Sequence, residues 1–267
     1  MDLGLRTPLL DFFRRGEVAR DVRLMAAEGA IAPRPLEQLG LLALLTADHD
    51  PDIRETAEAT LARIPASLIA AFIARADVPT ELRGFFEARG VTPAAEAAPD
   101  DATPVADPEP EPDDWIAELA AGVEGAEGER ESTVRQLQNM SVPQKVKAAM
   151  KGTREMRAVL IRDPNRMVAA AVLSCPKVNE SEIESFARMA NVTDEILRTI
   201  GQTRGWTKSY GVVSALVKNP KTPIAVSLTL LQRLNDRDLK GISIDRNVPE
   251  PLRVAARRKV VQGNEKK

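Results

Sequence analysis

Few residues in this chain have a type and spacing that could do chemistry. The single histidine, His49, sits in Asp48-His49-Asp50-Pro51-Asp52. A histidine among carboxylates has the composition of a metal site. An EF-hand calcium loop, however, requires glycine where Ile53 stands and glutamate where Ala59 stands. The run reads better as a helix N-terminus whose acids cap free N–H groups and complement the helix dipole. The single cysteine, Cys175, follows the apolar run from Val168 to Leu173 and precedes Pro176. A nucleophilic thiol requires a base or a local positive field; the only histidine lies in the other helical module, and Cys175 reads as a small buried residue at a helix end. Gly201-Gln202-Thr203-Arg204-Gly205 lacks the Gly-Lys-Ser/Thr ending of a phosphate loop. The acid pairs Glu182/Glu184 and Asp236/Asp238 are spaced i, i+2, which splays them apart on a helix. The expectation is a non-enzymatic chain with no catalytic residue, no metal and no cofactor.

Residues suited to binding are easier to find. Arg204-Gly205-Trp206-Thr207-Lys208-Ser209-Tyr210 contains the only tyrosine of the chain. On a helix, Trp206 and Tyr210 would share a face at i, i+4. Arg204 and Lys208 could then contact phosphates while the rings stack on bases. Alternatively, both aromatics lock neighbouring helices together. Basic residues recur at turn positions: Arg162, Arg166, Lys177, Lys218, Lys221 and Arg246. Taking Lys177 as equivalent to Lys221, and Arg162 to Arg246, gives a basic stripe along one edge or a merely solvated surface. A third candidate is Trp115, Ile116 and Leu119, either one amphipathic turn docking in a groove or the start of the following helical module.

The elements that position these residues read as short helices. Only 3% of the 267 residues are aromatic and 43% are hydrophobic, which suits closely packed helices built from Ala, Leu, Val and Ile. Helices are predicted over Pro51–Arg63, Pro79–Arg89, Pro143–Lys151, Ser209–Lys218, Pro223–Leu234 and Pro249–Val261, each opening on Pro or a polar cap. Ile224, Leu228, Leu231 and Leu234 fall on one face, as do Val212, Val213, Leu216 and Val217. No segment alternates at period 2. The stretch Val91–Asp114 is rich in Pro, Ala and acid, which predicts disorder. It divides the chain into an N-terminal helical module at 1–90, an acidic linker at 91–131 with a short helix at 114–121, and a C-terminal module at 132–267. Their net charges are −3, −12 and +13.

A recurring Val-Pro start (Val78-Pro79, Val142-Pro143, Val248-Pro249) and the pair Cys175-Pro176-Lys177 and Asn219-Pro220-Lys221 suggest a unit of about 40–47 residues. Asp50-Pro51-Asp52-Ile53-Arg54 followed by Ala57 and Leu61 resembles the HEAT-repeat pattern. The run Leu160-Ile161-Arg162-Asp163-Pro164-Asn165, Ala215 to Pro223 and Asp245 to Pro249 is similar to a group of uncharacterised bacterial HEAT-like proteins. The resemblance implies an all-α architecture, an α-solenoid of short stacked helices in two modules, and carries no activity. The expected function is a scaffold or adaptor for a protein partner, with the acidic linker folding back to mask the basic module; the alternative is nucleic-acid binding through residues 132–267. The opening Met1–Asp21 is not patterned as a signal peptide. With one cysteine and no long apolar run, the expected location is the cytoplasm, with no membrane span.

Overall fold

A computed structural model describes residues 3–31, 34–99, 105–106, 114–124 and 127–264. Among these the chain is all-helical, with seventeen α-helices, one 3-10 turn and no strand. It forms two compact units, Met1–Lys177 and Val178–Lys267. None of the described helices is long and apolar enough to cross a membrane by itself.

Unit 1 contains α1 (Pro8–Arg15), α2 (Arg20–Ala27), α3 (Pro35–Leu45), α4 (Pro51–Arg63), α5 (Ala66–Ile73), α6 (Thr80–Glu87), α7 (Asp114–Glu124), α8 (Glu127–Asn139), α9 (Val142–Lys151), α10 (Arg154–Leu160) and α11 (Arg166–Ser174). Local chemistry explains why the helices are short. Pro51 opens α4, the Asp50 carboxylate accepts from the Asp52 N–H at 3.0 Å, and Pro65 follows the Ile64 cap. Gly16 closes α1 at φ +70°, a left-handed cap conformation that costs glycine little. The acids around His49 are held by arginines from α2: Arg20 binds Asp50 and Asp52 at 2.6 Å each, and Arg23 binds Asp48 at 2.5 Å.

The centre of unit 1 is α3. Nine of its eleven residues are buried, so it has no solvated face and its two polar side chains, Glu37 and Gln38, must be satisfied internally. Around it pack α1, α2, α4 and α6. Fully burying a leucine such as Leu39 or Leu42 on this helix contributes roughly 1.5–3 kcal/mol. In turn, α1 packs on α11 and α2 on α9. The first helices therefore share a compact unit with helices that follow the acidic stretch. The compact units divide at 177/178, whereas the sequence places the division within 91–131.

The expected short helix at 114–121 is α7, which continues to Glu124 and packs on α8 and α10. Ile116, Leu119 and Val123 are its buried face. Gly122 lies against the Thr133 hydroxyl, where a Cβ would collide, so a glycine permits this close approach.

Unit 2 contains α12 (Glu180–Arg188), α13 (Asp194–Gln202), the 3-10 turn Trp206–Lys208, α14 (Tyr210–Lys218), α15 (Ile224–Leu231), α16 (Asp236–Ile244) and α17 (Glu250–Asn264). On α14 the expected apolar face is buried, with Val212, Val213, Leu216 and Val217 all at 1% exposure or less. On α15 the expected face is met in part, with Leu231 and Leu234 buried. Ser227, Leu230 and Leu231 are buried while Ile224 is 44% exposed, and Leu234 lies beyond the helix end.

One turn design recurs in both units. The side chains of Asp48, Asp163, Asn219 and Asp245 each accept from the backbone N–H two residues on, at 2.8–3.0 Å. Three of them also clamp an earlier helix: Asp48 through Arg23 of α2, Asp163 through Lys145 of α9 at 2.8 Å, and Asn219 through the Ala187 and Met189 carbonyls at the end of α12. Cys175 takes the corresponding position before Lys177, where its buried thiol donates to the Met150 carbonyl at 3.3 Å.

Candidate functional site

The positions expected to bind are scattered over both units. In unit 1, Arg162, Arg166 and Lys177 are exposed, and Arg162 Nε donates to the Ala158 carbonyl of the preceding helix, α10, at 2.9 Å. Ile116 and Leu119, at 1% and 4% exposure, are enclosed by α8 and α10, with Trp115 half-buried beside them. That burial favours the reading in which the turn begins a helical module.

In unit 2, Arg204, Lys208, Lys221 and Arg246 are exposed and Trp206 is half-buried. Trp206 and Tyr210 do not share a helix. Ser209 is extended (φ −69°, ψ 125°) and separates the 3-10 turn from α14. The Tyr210 hydroxyl instead donates to Asp238 and accepts from the Asn235 N–H at 3.3 Å. Lys218 reaches the same carboxylate at 2.8 Å. The hydrogen bond from Lys218, then that from Tyr210, hold Asp238 below the usual carboxylate range. These three residues tie α14 to α16. The recurring turn also revises the expected equivalences. Arg162 and Lys218 each precede the turn residue, whereas Arg246 follows it. Lys218 and Arg188 border a shallow groove of about 300 Å³ where α12 meets α14, but Lys218 is paired with Asp238 and Arg188 with Glu184.

The arrangement with the most unusual chemistry is in unit 1, on two residues that the sequence reading passed over. Gln38 is 1% exposed. Its Oε1 accepts from the N–H groups of Val105 and Ala106 at 2.8 and 2.9 Å. Its Nε2 donates to the Ala106 carbonyl and to the Gly29 carbonyl, the latter at 3.3 Å. One side-chain amide thus pairs with a stretch of main chain as another strand would. Gly29 has φ +85°, and a Cβ there would lie 3.2 Å from the Ala106 Cβ, so its lack of a side chain lets the segment approach.

The preceding residues run over α5. The Ala94 and Ala98 N–H groups donate to the Ala70 and Ala71 carbonyls at 3.0 and 2.8 Å. These carbonyls lie in the last turns of α5; the Ala70 carbonyl also accepts from the Ala74 N–H at 3.2 Å. Arg75 Nη1 donates to the Pro99 carbonyl at 3.0 Å. Val91, Ala98, Val105 and Ala106 pack against the core formed by α3 to α6. Residues 91–99 and 105–106 therefore form a strap on unit 1, which departs from the disorder expected across 91–114. Residues 100–104 and 107–113, where that expectation also falls, lie outside the described residues.

Glu37, one residue before Gln38, is 6% exposed. Its Oε1 accepts from the Thr7 hydroxyl of the α1 cap and from the Ser174 hydroxyl at the end of α11, the latter at 3.2 Å. Burial pushes its carboxyl up to about 7, against the lowering effect of the two hydroxyls and the Arg34 charge. Glu37 lines a cavity of about 180 Å³ with apolar walls from Leu5, Leu36 and Phe72. Arg75 and Asp77, also on its wall, pair with each other at 2.9 and 2.7 Å. A signal for both residues is present in the sequence: a Glu-Gln pair opening a helix that is otherwise almost wholly apolar. Comparison with known proteins gives no matching family model, no matching curated protein and no matching solved structure, so the chemistry of the site rests on its own geometry.

Proposed function

We propose that this protein is a non-enzymatic, HEAT-like helical-repeat adaptor of the cytoplasm that holds an extended segment of a protein partner against α3. The observation that carries this reading is the Gln38 amide, buried and bonded on both its edges to the main chain of Val105 and Ala106. A side chain that pairs with main chain recognises extended conformation with little regard to sequence, and Gly29 adds a preference for a small residue. In this reading the strap is the chain's own occupant of the groove, and a partner segment replaces it. The recurring Asx turns, each followed by a new helix, support the stacked-repeat part of the proposal. The basic residues favour nucleic acid less, since Lys218 and Arg188 are already paired with carboxylates.

The test uses the full chain with the strap weakened by Val105→Asp and Ala106→Asp, which place charges against the apolar core. A synthetic peptide of residues 99–108 should bind this variant at least tenfold more tightly than it binds the wild type. Adding Gln38→Leu should abolish the gain. Equal binding to all three proteins removes the adaptor reading. Salt-sensitive binding of DNA or RNA with no peptide binding replaces it with the nucleic-acid one.

A further inference from the structure

The Glu37 cavity does not include Gln38, and the inference drawn from it does not rest on the adaptor reading. Both hydroxyls that bind Glu37 donate to Oε1, and Oε2 accepts no hydrogen bond from a described residue. This oxygen belongs to a side chain more than nine-tenths buried that forms part of a cavity wall. A carboxylate oxygen in that position calls for a donor, and a charged donor compensates its burial better than a neutral one. The charges around it constrain the choice. Arg75 is neutralised by the two-pronged contact with Asp77, which leaves the Arg34 guanidinium as the basic group acting on Glu37. The other walls, Leu5, Leu36 and Phe72, are apolar. At about 180 Å³ the space is comparable to cavities that admit benzene, so the ligand has few heavy atoms.

We infer that this cavity binds a primary ammonium group carried on a short apolar stem, with Glu37 Oε2 as its acceptor and Leu5, Leu36 and Phe72 around the stem. Two sources offer that chemistry: a free small amine, or the lysine side chain of a polypeptide, whose stem is a butylammonium. Because the Glu37 carboxyl is held near neutrality, binding of the cation releases a proton and strengthens as pH rises. Ionisation grows about tenfold between pH 6 and pH 8 for a group titrating near 7.

The experiment titrates the full chain with n-butylammonium chloride, N-acetyl-lysine amide and n-butanol at pH 6 and pH 8 and constant ionic strength, followed by amide chemical shifts. The expected result is saturable binding of an ammonium probe, about tenfold tighter at pH 8, with butanol at least tenfold weaker. Tighter binding of the blocked lysine assigns the source to a polypeptide, and tighter binding of butylammonium assigns it to a free amine. Glu37→Gln should remove both the pH dependence and the preference over butanol. Leu36→Trp, which fills the cavity while keeping the carboxylate, should abolish binding and serves as the second variant if Glu37→Gln does not fold. Butanol binding as tightly as the amines, a pH-independent affinity, or no saturation by any probe at pH 8 overturns the assignment.

Discussion

Replacing Gln38 by leucine tests the docking of the strap. Leucine keeps roughly the volume of glutamine and suits the apolar surroundings of α3, so the helix should persist. The change removes three hydrogen bonds to the strap: one from Val105, one from Ala106, and one to the Ala106 carbonyl. At about 0.5–1.5 kcal/mol net for each, docking weakens by about 1.5–4.5 kcal/mol. The lower part of that range is the better guide, because Val105 and Ala106 are only half-buried and water can solvate their freed groups. The docking equilibrium should shift about tenfold or more. Native-state hydrogen exchange followed by NMR is the assay. The amides of Val105 and Ala106 should exchange at least tenfold faster in the variant, while those of Leu42 in α3 and Leu61 in α4 keep their protection. Unchanged exchange at Val105 and Ala106 would refute the claim that Gln38 holds the strap.

Other perturbations address the buried charges. The Glu37 carboxyl is raised by burial from its ordinary 4.5 to about 7, so the folded state binds the proton more tightly than the unfolded state does. Its contribution therefore favours folding below about 4.5 and is lost as pH rises through about 7, by about 3 kcal/mol overall. Urea denaturation of wild type and Glu37→Gln at pH 5 and pH 8 should show the variant gaining relative stability at pH 8. No change in their difference would contradict this. Lys145→Ala leaves the Asp163 carboxylate, 4% exposed, without its partner and should destabilise unit 1 by about 3–5 kcal/mol. Adding Asp163→Asn should recover part of that loss in the same measurement. Tyr210→Phe removes the hydrogen bonds to Asp238 and Asn235. It should cost about 0.5–1.5 kcal/mol and raise the Asp238 titration seen by NMR, since one of the bonds holding that pKa down is lost.

Much of the helical punctuation was legible in the sequence. Asp50 before Pro51, the Pro143 start and the Val212/Val213/Leu216/Val217 face depend on neighbours within one or two turns, and each has its counterpart in the structure. Reading failed where a choice depended on distant packing. The expected face of α15 held at Leu231 and Leu234, which are buried, and failed at Ile224, which found no cover. The Trp206–Tyr210 pairing failed because Ser209 breaks the helix between them. Residues 91–114, unable to build a core of their own, have a composition that predicts disorder. Their alanines and valines nevertheless find a surface on α3 and α5.

The sequence by itself determined an all-helical chain of short, capped segments, because capping, proline geometry and the 3.6-residue period act locally. It also supplied the Glu37-Gln38 pair within an apolar helix, though not the role of either residue. Only the tertiary structure decided that Glu37 meets Thr7, thirty residues earlier, and Ser174, 137 residues later. The same holds for the meeting of Gln38 with Ala106, 68 residues on. The physical reason is that a buried polar group takes its partners from whichever elements pack around it, and that set is fixed by the packing of whole helices rather than by any local stretch of chain.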